Sequence, residues 1–281
     1  MNAAYKVSGA GNDFLALIEP ERDPTAAEVI AWCARGFAFG ADGVFALRRT
    51  ADGAVHMNHW NSDGGRVEQC LNGTRCAARL AFDLGWAERE VAIETGAGRV
   101  VGRRGARAGT ATIEVAPPQE GPRPMAPVLA GRAHAGIFVR IGVPHFVMVS
   151  ADSLAVAPVA ELGPGLRHHA DFGPGGTNVD WARFTDPHRM EIRSFERGVE
   201  AETLACGTGV LAATAVGLQL NLAKLPLQAS TLGGFTLTVD GQTVDSALRN
   251  WSLAGDARIL GSVELTPEAG LPPPPAPHWS A

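Results

Sequence analysis

Two cysteines stand at matching places in two halves of the chain. Cys70 follows Gly40 by 30 residues, and Cys206 follows Gly176 by the same 30 residues. Small or apolar residues follow both cysteines, Leu-Asn-Gly-Thr after the first and Gly-Thr-Gly-Val after the second. A spacing kept in both halves predicts an internal duplication, so the chain should fold as two similar units, each with a helix that opens at its cysteine.

The turn-and-strand segments before the cysteines repeat as well. Gly11-Asn12-Asp-Phe14-Leu-Ala-Leu in the first half corresponds to Val143-Pro-His145-Phe-Val-Met-Val in the second. Apolar strands after glycine-rich turns are typical of sheet proteins. We therefore predict two pseudo-symmetric units that are rich in strands, each with a buried helix.

The start of a helix favours a reactive thiol. Backbone N–H groups there lack partners within the helix, attract anions and lower the pKa of a thiol. The charged run 196–202 ends just before Cys206, and 203–223 contains no charged residue. We therefore interpret Cys70 and Cys206 as reactive thiols with lowered pKa values, and Cys33 and Cys76 as core residues.

Several other elements follow from local pattern. Asp23-Pro-Thr25 should cap a helix that reaches about Arg35. The helix after Cys70 should carry one polar stripe, Arg75, Arg79 and Asp83. Five glycines and two prolines predict a loop over 163–176, and the pattern of 225–265 predicts strands and turns. His56 and His59 face opposite sides of their strand, so we interpret both as structural, with no metal site.

The predicted domain limits rest on a stretch rich in Pro, Gly and Ala at 117–135. The first domain should cover 1–118 and the second 119–261. A Pro-rich tail should occupy 273–281.

Composition excludes several classes of function. A net charge of −5 and a pI near 5.9 argue against nucleic acid as the partner. The uncharged stretch after Thr203 is broken by Gly, Thr, Gln and Asn residues, so we expect a buried helix rather than a membrane span. The first residues lack the pattern of a signal peptide, and four spread cysteines do not make a disulfide framework. These features predict a cytoplasmic protein.

Two opposed thiols beside a bound carboxylate suit proton exchange at the α-carbon of an amino acid. One thiolate would remove the α-proton, and the other thiol would return a proton to the opposite face. The N–H groups of the helix ends would stabilise negative charge on the carboxylate. Such a reaction needs no cofactor, and no lysine motif indicates pyridoxal phosphate.

The motifs together resemble the diaminopimelate epimerase family over nearly the whole chain. The resemblance rests on Asn61-x-Asp-Gly with Cys70-x-Asn-Gly-Thr-Arg-Cys, and on Glu196-Arg-Gly-Val with Glu-Thr-Leu-Ala-Cys206-Gly-Thr-Gly. Pro144-His145 and Gly176-Thr-Asn178-Val support it. It implies an α/β (α+β) fold of two domains, in each of which a mixed sheet is curled around a central helix, with the region 262–272 returning to the first domain. It also implies a cofactor-independent epimerase of LL- and meso-diaminopimelate, on the route to lysine and peptidoglycan, and a possible homodimer.

The resemblance also implies the site residues. Cys70 and Cys206 would be the acid–base thiols, assisted at the reacting centre by His145 and Glu196. The remaining expected contacts to substrate are the backbones of Leu71, Asn72, Gly207 and Thr208 at the α-carboxylate, and Asn12, Asn61, Asn178 and Arg197 at the distal end.

Two departures from the family pattern keep alternatives open. Leu71 replaces a glycine after the first cysteine, and Val143 replaces an asparagine before Pro-His. A related racemase of another amino acid is therefore the main alternative. A cysteine hydrolase or transferase, with Cys206 as nucleophile and His145 as base, is a second. A binding protein without catalysis is a third.

Overall fold

The computed structural model describes residues 3–244 and 247–272. They form a mixed α+β fold of two units. Described residues up to Ala111 and from Ala257 onward make the first unit, and Thr112–Asp256 makes the second. The domain limits given above, 1–118 with 262–272 and 119–261, stay a prediction, and the Pro-rich tail predicted at 273–281 lies outside the described residues.

The first unit contains helices α1 (Ala26–Cys33) and α2 (Leu71–Asp83). Its strands, numbered along the chain, are β1 (Ala3–Gly9), β2 (Asn12–Ile18), β3 (Gly43–Arg49), β4 (Val55–Asn61), β5 (Arg66–Val67), β6 (Glu90–Thr95), β7 (Gly98–Arg104) and β20 (Arg258–Glu264); β8 (Thr110–Glu114) lies at the boundary. The pairing order is β20-β1-β2-β3-β4-β6-β7, with β5 added to β4. The pairs β2–β3 and β4–β6 are parallel and the others antiparallel.

The second unit contains helices α3 (Val159–Arg167) and α4 (Gly207–Gln219). Its strands are β9 (Glu120–Met125), β10 (Val128–Leu129), β11 (Arg132–Ala133), β12 (Gly136–Ile141), β13 (Val143–Val149), β14 (Asn178–Asp186), β15 (Arg189–Glu196), β16 (Ala201–Thr203), β17 (Leu227–Thr231), β18 (Thr236–Val244) and β19 (Ala247–Asp256). The pairing order is β9-β12-β13-β14-β15-β17-β18-β19, with β16 added to β15. Again two pairs are parallel, β13–β14 and β15–β17.

The same sequence of pairings in both units confirms the predicted duplication. In each unit a long buried helix packs against strands from several parts of the sheet. Helix α2 contacts β1, β2, β6, β7 and β20, and α4 contacts β9, β12, β13, β14, β15 and β18. These contacts explain why both helices are buried on most sides and why α4 contains no charged residue.

The core of the first unit fills the space between α2 and the sheet. Phe14 and Phe45 are fully buried, with ring centroids 5.7 Å apart, and Leu80 packs in the same cluster. Cys33 and Cys76 are buried, as predicted for core residues. His56 is exposed and His59 is buried, which confirms that they face opposite sides of β4. The capped helix is also confirmed, because Thr25 makes a capping box with Glu28 at the start of α1.

Two expectations from local pattern were wrong. The predicted loop over 163–176 begins as helix, since α3 continues through Gly163 and Pro164 to Arg167. A Cβ at Gly163 would lie 2.5 Å from the ring of Phe195, so glycine here lets α3 approach β15 closely. The polar stripe of α2 is also incomplete. Arg79 and Asp83 form a surface ion pair, whereas Arg75 is fully buried and donates to the Asn72 side chain at 2.7 Å.

No helix among the described residues has both the length and the apolar character needed to cross a bilayer.

Candidate active site

In the first unit, Cys70 is the residue from which α2 begins, as predicted. Its backbone is extended, and its carbonyl accepts the first helical hydrogen bond from the Thr74 N–H at 2.8 Å. The N–H groups of Leu71 and Asn72 precede that bond, so they point out of the helix end. Such an end is a favourable place for a carboxylate. The local backbone therefore suits the predicted role of Leu71 and Asn72.

The strand below this helix end comes very close to it. A Cβ at Gly9, the last residue of β1, would lie 2.7 Å from the Asn72 carbonyl oxygen. Asn72 itself is buried, and its side-chain oxygen accepts from Arg75. The side chain of Asn72 thus stabilises the first turn of α2, which leaves the backbone as the part suited to hold a ligand.

Asn12 and Cys70 are brought together. The Cys70 sulfur lies 3.7 Å from the side-chain oxygen of Asn12, and the Asn12 amide donates to Asp42 at 2.8 Å. Asp42 also accepts from Arg35 at 2.8 Å. The amide of Asn12 is therefore oriented with its oxygen toward the thiol. Asn61 lies at the exposed end of β4, and its backbone N–H donates to the Gly65 carbonyl.

In the second unit, Cys206 begins α4 as Cys70 begins α2. The Cys206 carbonyl accepts from the Val210 N–H at 3.0 Å. Its sulfur accepts a hydrogen bond from the Gly209 N–H at 3.4 Å and lies 3.5 Å from the Thr208 hydroxyl. The N–H groups of Gly207 and Thr208 precede the first helical bond. The second helix end can thus receive a carboxylate in the same way as the first.

The prediction of a lowered thiol pKa was wrong for Cys206. Burial raises the pKa of this thiol well above its usual value, and the negative charges of Glu196 and Asp180 raise it further. The hydrogen bonds from Thr208 and Gly209 act in the opposite direction but are weaker. Desolvation of a charged form commonly outweighs the effect of a helix end. Cys206 is therefore a protonated thiol at neutral pH.

Glu196 is a carboxyl group in hydrogen-bond contact with that thiol. It ends β15, accepts from the Thr203 hydroxyl and shares a hydrogen bond with Cys206. Burial raises the pKa of Glu196, and the charge of Asp180 adds to the effect, while hydrogen bonds from Thr203 and Cys206 oppose it. A carboxyl group with a raised pKa can exchange a proton with a thiol near neutral pH.

His145 and Asn178 form the other part of this half-site. They face each other across the parallel strands β13 and β14 and are both buried. The His145 Nδ1 atom lies 2.7 Å from Asp180, and the Asn178 amide nitrogen lies 3.5 Å from Nε2. The Arg197 N–H donates to the Asn178 side-chain oxygen at 2.7 Å. The guanidinium of Arg197 extends toward Gly175.

The sequence-based site omitted Asp180 and Ser194. The Ser194 hydroxyl donates to Asp180 at 2.6 Å, and both residues are buried. A signal for Asp180 was present, because it lies two residues after Asn178 on the same strand and so shares its face. Val143 lies two residues before His145 and therefore on the same face of β13, where it is partly buried.

Each half-site thus combines a thiol at a helix start with a polar group beside the sulfur. In the first unit the neighbour is the neutral amide of Asn12. In the second unit it is the carboxyl group of Glu196. A thiol with a proton acceptor next to it can act as a general acid or base, and a helix end can stabilise developing negative charge.

Comparison with protein families gives a match over most of the chain. The family model described as "Diaminopimelate epimerase" matches residues 4–111 and 137–249. A diaminopimelate epimerase of Aquifex aeolicus is 32% identical over 249 residues, which cover 84% of this chain and 88% of that protein. A diaminopimelate epimerase of Methanothrix thermoacetophila is 35% identical over 247 residues, covering 82% and 85%.

Solved structures support the fold at much lower sequence identity. A hydroxyproline epimerase from Agrobacterium vitis superposes with a TM-score of 0.68 at 16% identity, covering 96% of this chain and 93% of that one. A phenazine biosynthesis protein of the PhzF family from Bacillus anthracis gives a TM-score of 0.69 at 15% identity, covering 95% and 99%. The two-unit fold is thus shared with these proteins.

Proposed function

Because the chain belongs to the diaminopimelate epimerase family, we propose that it interconverts LL- and meso-2,6-diaminopimelate by moving the proton on one α-carbon. The family match and the relatives above 30% identity support this substrate. The observation that carries the chemistry is the pair of helices that each begin at a cysteine, Cys70 and Cys206.

In the proposed reaction the two thiols exchange protons with the substrate. One sulfur, as thiolate, removes the α-proton, and the thiol of the other cysteine donates a proton to the opposite face of the carbanion. The configuration at that carbon is thereby inverted. Each sulfur ends the turnover in the protonation state of the other, and a proton exchange with water or a neighbouring group restores the starting state.

The starting states of the two thiols differ in this proposal. Cys206 is held as a thiol by burial and by nearby carboxylates, so it is suited to donate first. When it must act as base instead, Glu196 can take its proton through the hydrogen bond between them. His145 assists by accepting a hydrogen bond from the α-ammonium group of the substrate.

The helix ends are proposed to grip the α-carboxylate. The N–H groups at Leu71, Asn72, Gly207 and Thr208 supply the donors, and they need no side chain to do so. As the carbanion forms, negative charge spreads onto this carboxylate, and fixed donors stabilise it without reorganisation. We propose that Asn12, Asn61, Asn178 and Arg197 act on the distal amino-acid end; Arg197 offers a forked donor suited to a carboxylate.

The test is deuterium incorporation from solvent. Purified, reduced protein incubated with LL-diaminopimelate in D₂O should form meso-diaminopimelate that carries deuterium at the inverted α-carbon. Cys70→Ala and Cys206→Ala should each abolish this conversion, because each removes one of the two acid–base groups. Cys33→Ala, which changes a buried thiol outside the proposed site, is the matched control and should keep the activity.

The alternatives give different results in the same experiment. A hydrolase that uses Cys206 as nucleophile would tolerate Cys70→Ala and accumulate a covalent intermediate. A racemase of another amino acid, the alternative that Val143 motivates, would leave diaminopimelate unlabelled but label another member of an amino-acid panel. A binding protein would label none. Product without deuterium would contradict the two-thiol mechanism.

Location and assembly remain separate proposals. We expect a cytoplasmic enzyme that forms a homodimer and has neither nucleic acid nor a membrane as partner. Size-exclusion chromatography with light scattering would decide the oligomeric state, with twice the mass of the 281-residue chain as the expected result.

A further inference from the structure

Asp180 is a fully buried carboxylate whose two oxygens are both engaged. One oxygen lies 2.7 Å from the His145 Nδ1 atom, and the other accepts from the Ser194 hydroxyl at 2.6 Å. The side chains of His145 and Asp180 have no exposed surface. A buried carboxylate is costly unless donors satisfy it. We therefore expect Asp180 to have a function that an apolar side chain at the same place on β14 could not perform.

The surrounding hydrogen bonds define which nitrogen of His145 carries the proton. The backbone N–H of Arg197 must donate to an oxygen, which fixes the orientation of the Asn178 amide. The Asn178 nitrogen then faces the His145 Nε2 atom at 3.5 Å, so that Nε2 acts as an acceptor. The proton of the neutral ring lies on Nδ1, where Asp180 receives it.

The same carboxylate contacts the helix that starts at Cys206. A Cβ at Gly209, in the first turn of α4, would lie 2.4 Å from the Asp180 oxygen and 3.0 Å from the Ser194 hydroxyl. Gly209 also donates its N–H to the Cys206 sulfur. Asp180 thus joins the imidazole of His145 to the backbone turn that carries the thiol, and it holds the two in one arrangement.

We propose that Asp180 is a positioning residue, supported by Ser194, that fixes His145 as its Nδ1-protonated tautomer. Its Nε2 atom then stays unprotonated, and the substrate ammonium group takes the place of the long 3.5 Å contact from Asn178. The inference rests on the proposed function, because it assigns the part of His145 that meets substrate. Without an acceptor at Nδ1 the ring can place its proton on Nε2. The Nε2–H group would then face the N–H donors of the substrate and could not accept a hydrogen bond from them.

The test combines a spectroscopic measurement with a rate. In protein labelled with ¹⁵N-histidine, the ring nitrogen shifts and couplings distinguish the two neutral tautomers, and His145→Gln assigns the signals. The wild type should show the proton of His145 on Nδ1. Asp180→Asn, which keeps the shape but presents an NH₂ group, should shift that proton to Nε2 and lower kcat by roughly 10²-fold or more.

Ser194→Ala is the matched control. It removes a buried hydrogen bond to the same carboxylate but leaves the acceptor of His145 in place. We expect lower stability for this variant, with the wild-type tautomer of His145 retained. A purely structural Asp180 would make the two variants alike in stability and would leave the tautomer unchanged.

Three results would overturn the proposal. In the first, the wild-type protein carries the His145 proton on Nε2. In the second, Asp180→Asn keeps the proton on Nδ1, whatever its rate of turnover, and in the third, Ser194→Ala loses the Nδ1 proton while Asp180→Asn does not. If Asp180→Asn does not fold, the wild-type spectrum decides. The tautomer is measured without substrate, so failure of the proposed function, seen as absent deuterium incorporation by the wild type, is distinguishable from failure of this inference.

Discussion

The buried side chain of His59 makes the free energy of unfolding depend on pH, and the magnitude of this effect follows from its pKa. It lies on β4 with 5% of its surface exposed, and among the described residues neither ring nitrogen has a hydrogen-bond partner. The ring packs edge-on against Phe14, with centroids 5.5 Å apart. Burial lowers the pKa of His59 from 6.5 to about 4. The folded protein therefore strongly favours the neutral ring.

The direction of the effect follows from this lowered pKa. Above pH 6.5 the ring is neutral in both folded and unfolded protein, and its contribution is fully present. As the pH falls from 6.5 toward 4, the unfolded chain gains a proton that the folded protein does not bind, so stability is lost. The difference between the two pKa values corresponds to about 3 kcal/mol in total. His59→Phe removes the titration and should remove this loss.

Urea denaturation at pH 7.5 and pH 4.5 measures the effect. The free energy of unfolding of His59→Phe should fall less between these pH values than that of the wild type, by about 2–3 kcal/mol. Met57→Leu is the control, because it changes a neighbouring buried side chain on the same strand without removing a titratable group. Equal pH dependence in the wild type and His59→Phe would refute the reasoning.

Three further predictions concern the helices and Glu196. Gly209→Ala, whose Cβ would meet Asp180, should lower the free energy of unfolding by about 1–2 kcal/mol in urea titrations. The corresponding Gly73→Ala of α2 should be close to neutral, because its Cβ would lie 3.3 Å from the flexible Met57 methyl and at ordinary contact distance from Phe14 and Cys70. Thr25→Ala should cost about 1 kcal/mol by the same assay through loss of the α1 cap, and Thr25→Ser should restore it. The raised pKa of Glu196 means that its contribution to the free energy of unfolding is present at low pH and is lost as the pH rises. Glu196→Gln should therefore become more stable relative to the wild type as the pH rises from 4 to 7. A stability difference between the two proteins that does not change with pH would contradict this.

The duplication could be read from the sequence because it depends on backbone conformation. Parallel strands need long connections, so each copy keeps a regular spacing between its strands and the helix that follows them. Gly40 to Cys70 and Gly176 to Cys206 keep the same length because the same strands and loops separate them. The two matching sheets are the result.

Properties that depend on tertiary contacts could not be read in the same way. The helix α3 contains Gly163 and Pro164, whose local preference is for a loop, and it is stabilised by packing against Phe195. Arg75 lies in a polar stripe by periodicity, yet it is fully buried. The pKa of Cys206 depends on burial and on carboxylates that arrive from other strands. No local pattern contains this information.

The two copies have kept a common backbone and changed the groups around the thiol. Aligning Phe14 with Phe146 places Val44 of β3 at the position of Asp180 on β14, since these residues pair with Leu15 and Val147. An apolar side chain in one copy thus corresponds to a buried carboxylate in the other. The proposed binding of the substrate carboxylate relies on backbone N–H groups, which such side-chain changes leave in place. The proposed acid–base properties depend on side chains, so the surroundings of each thiol can differ between the copies. Cys70 has a neutral amide beside it, and Cys206 has a carboxyl group beside it and an imidazole in the same unit.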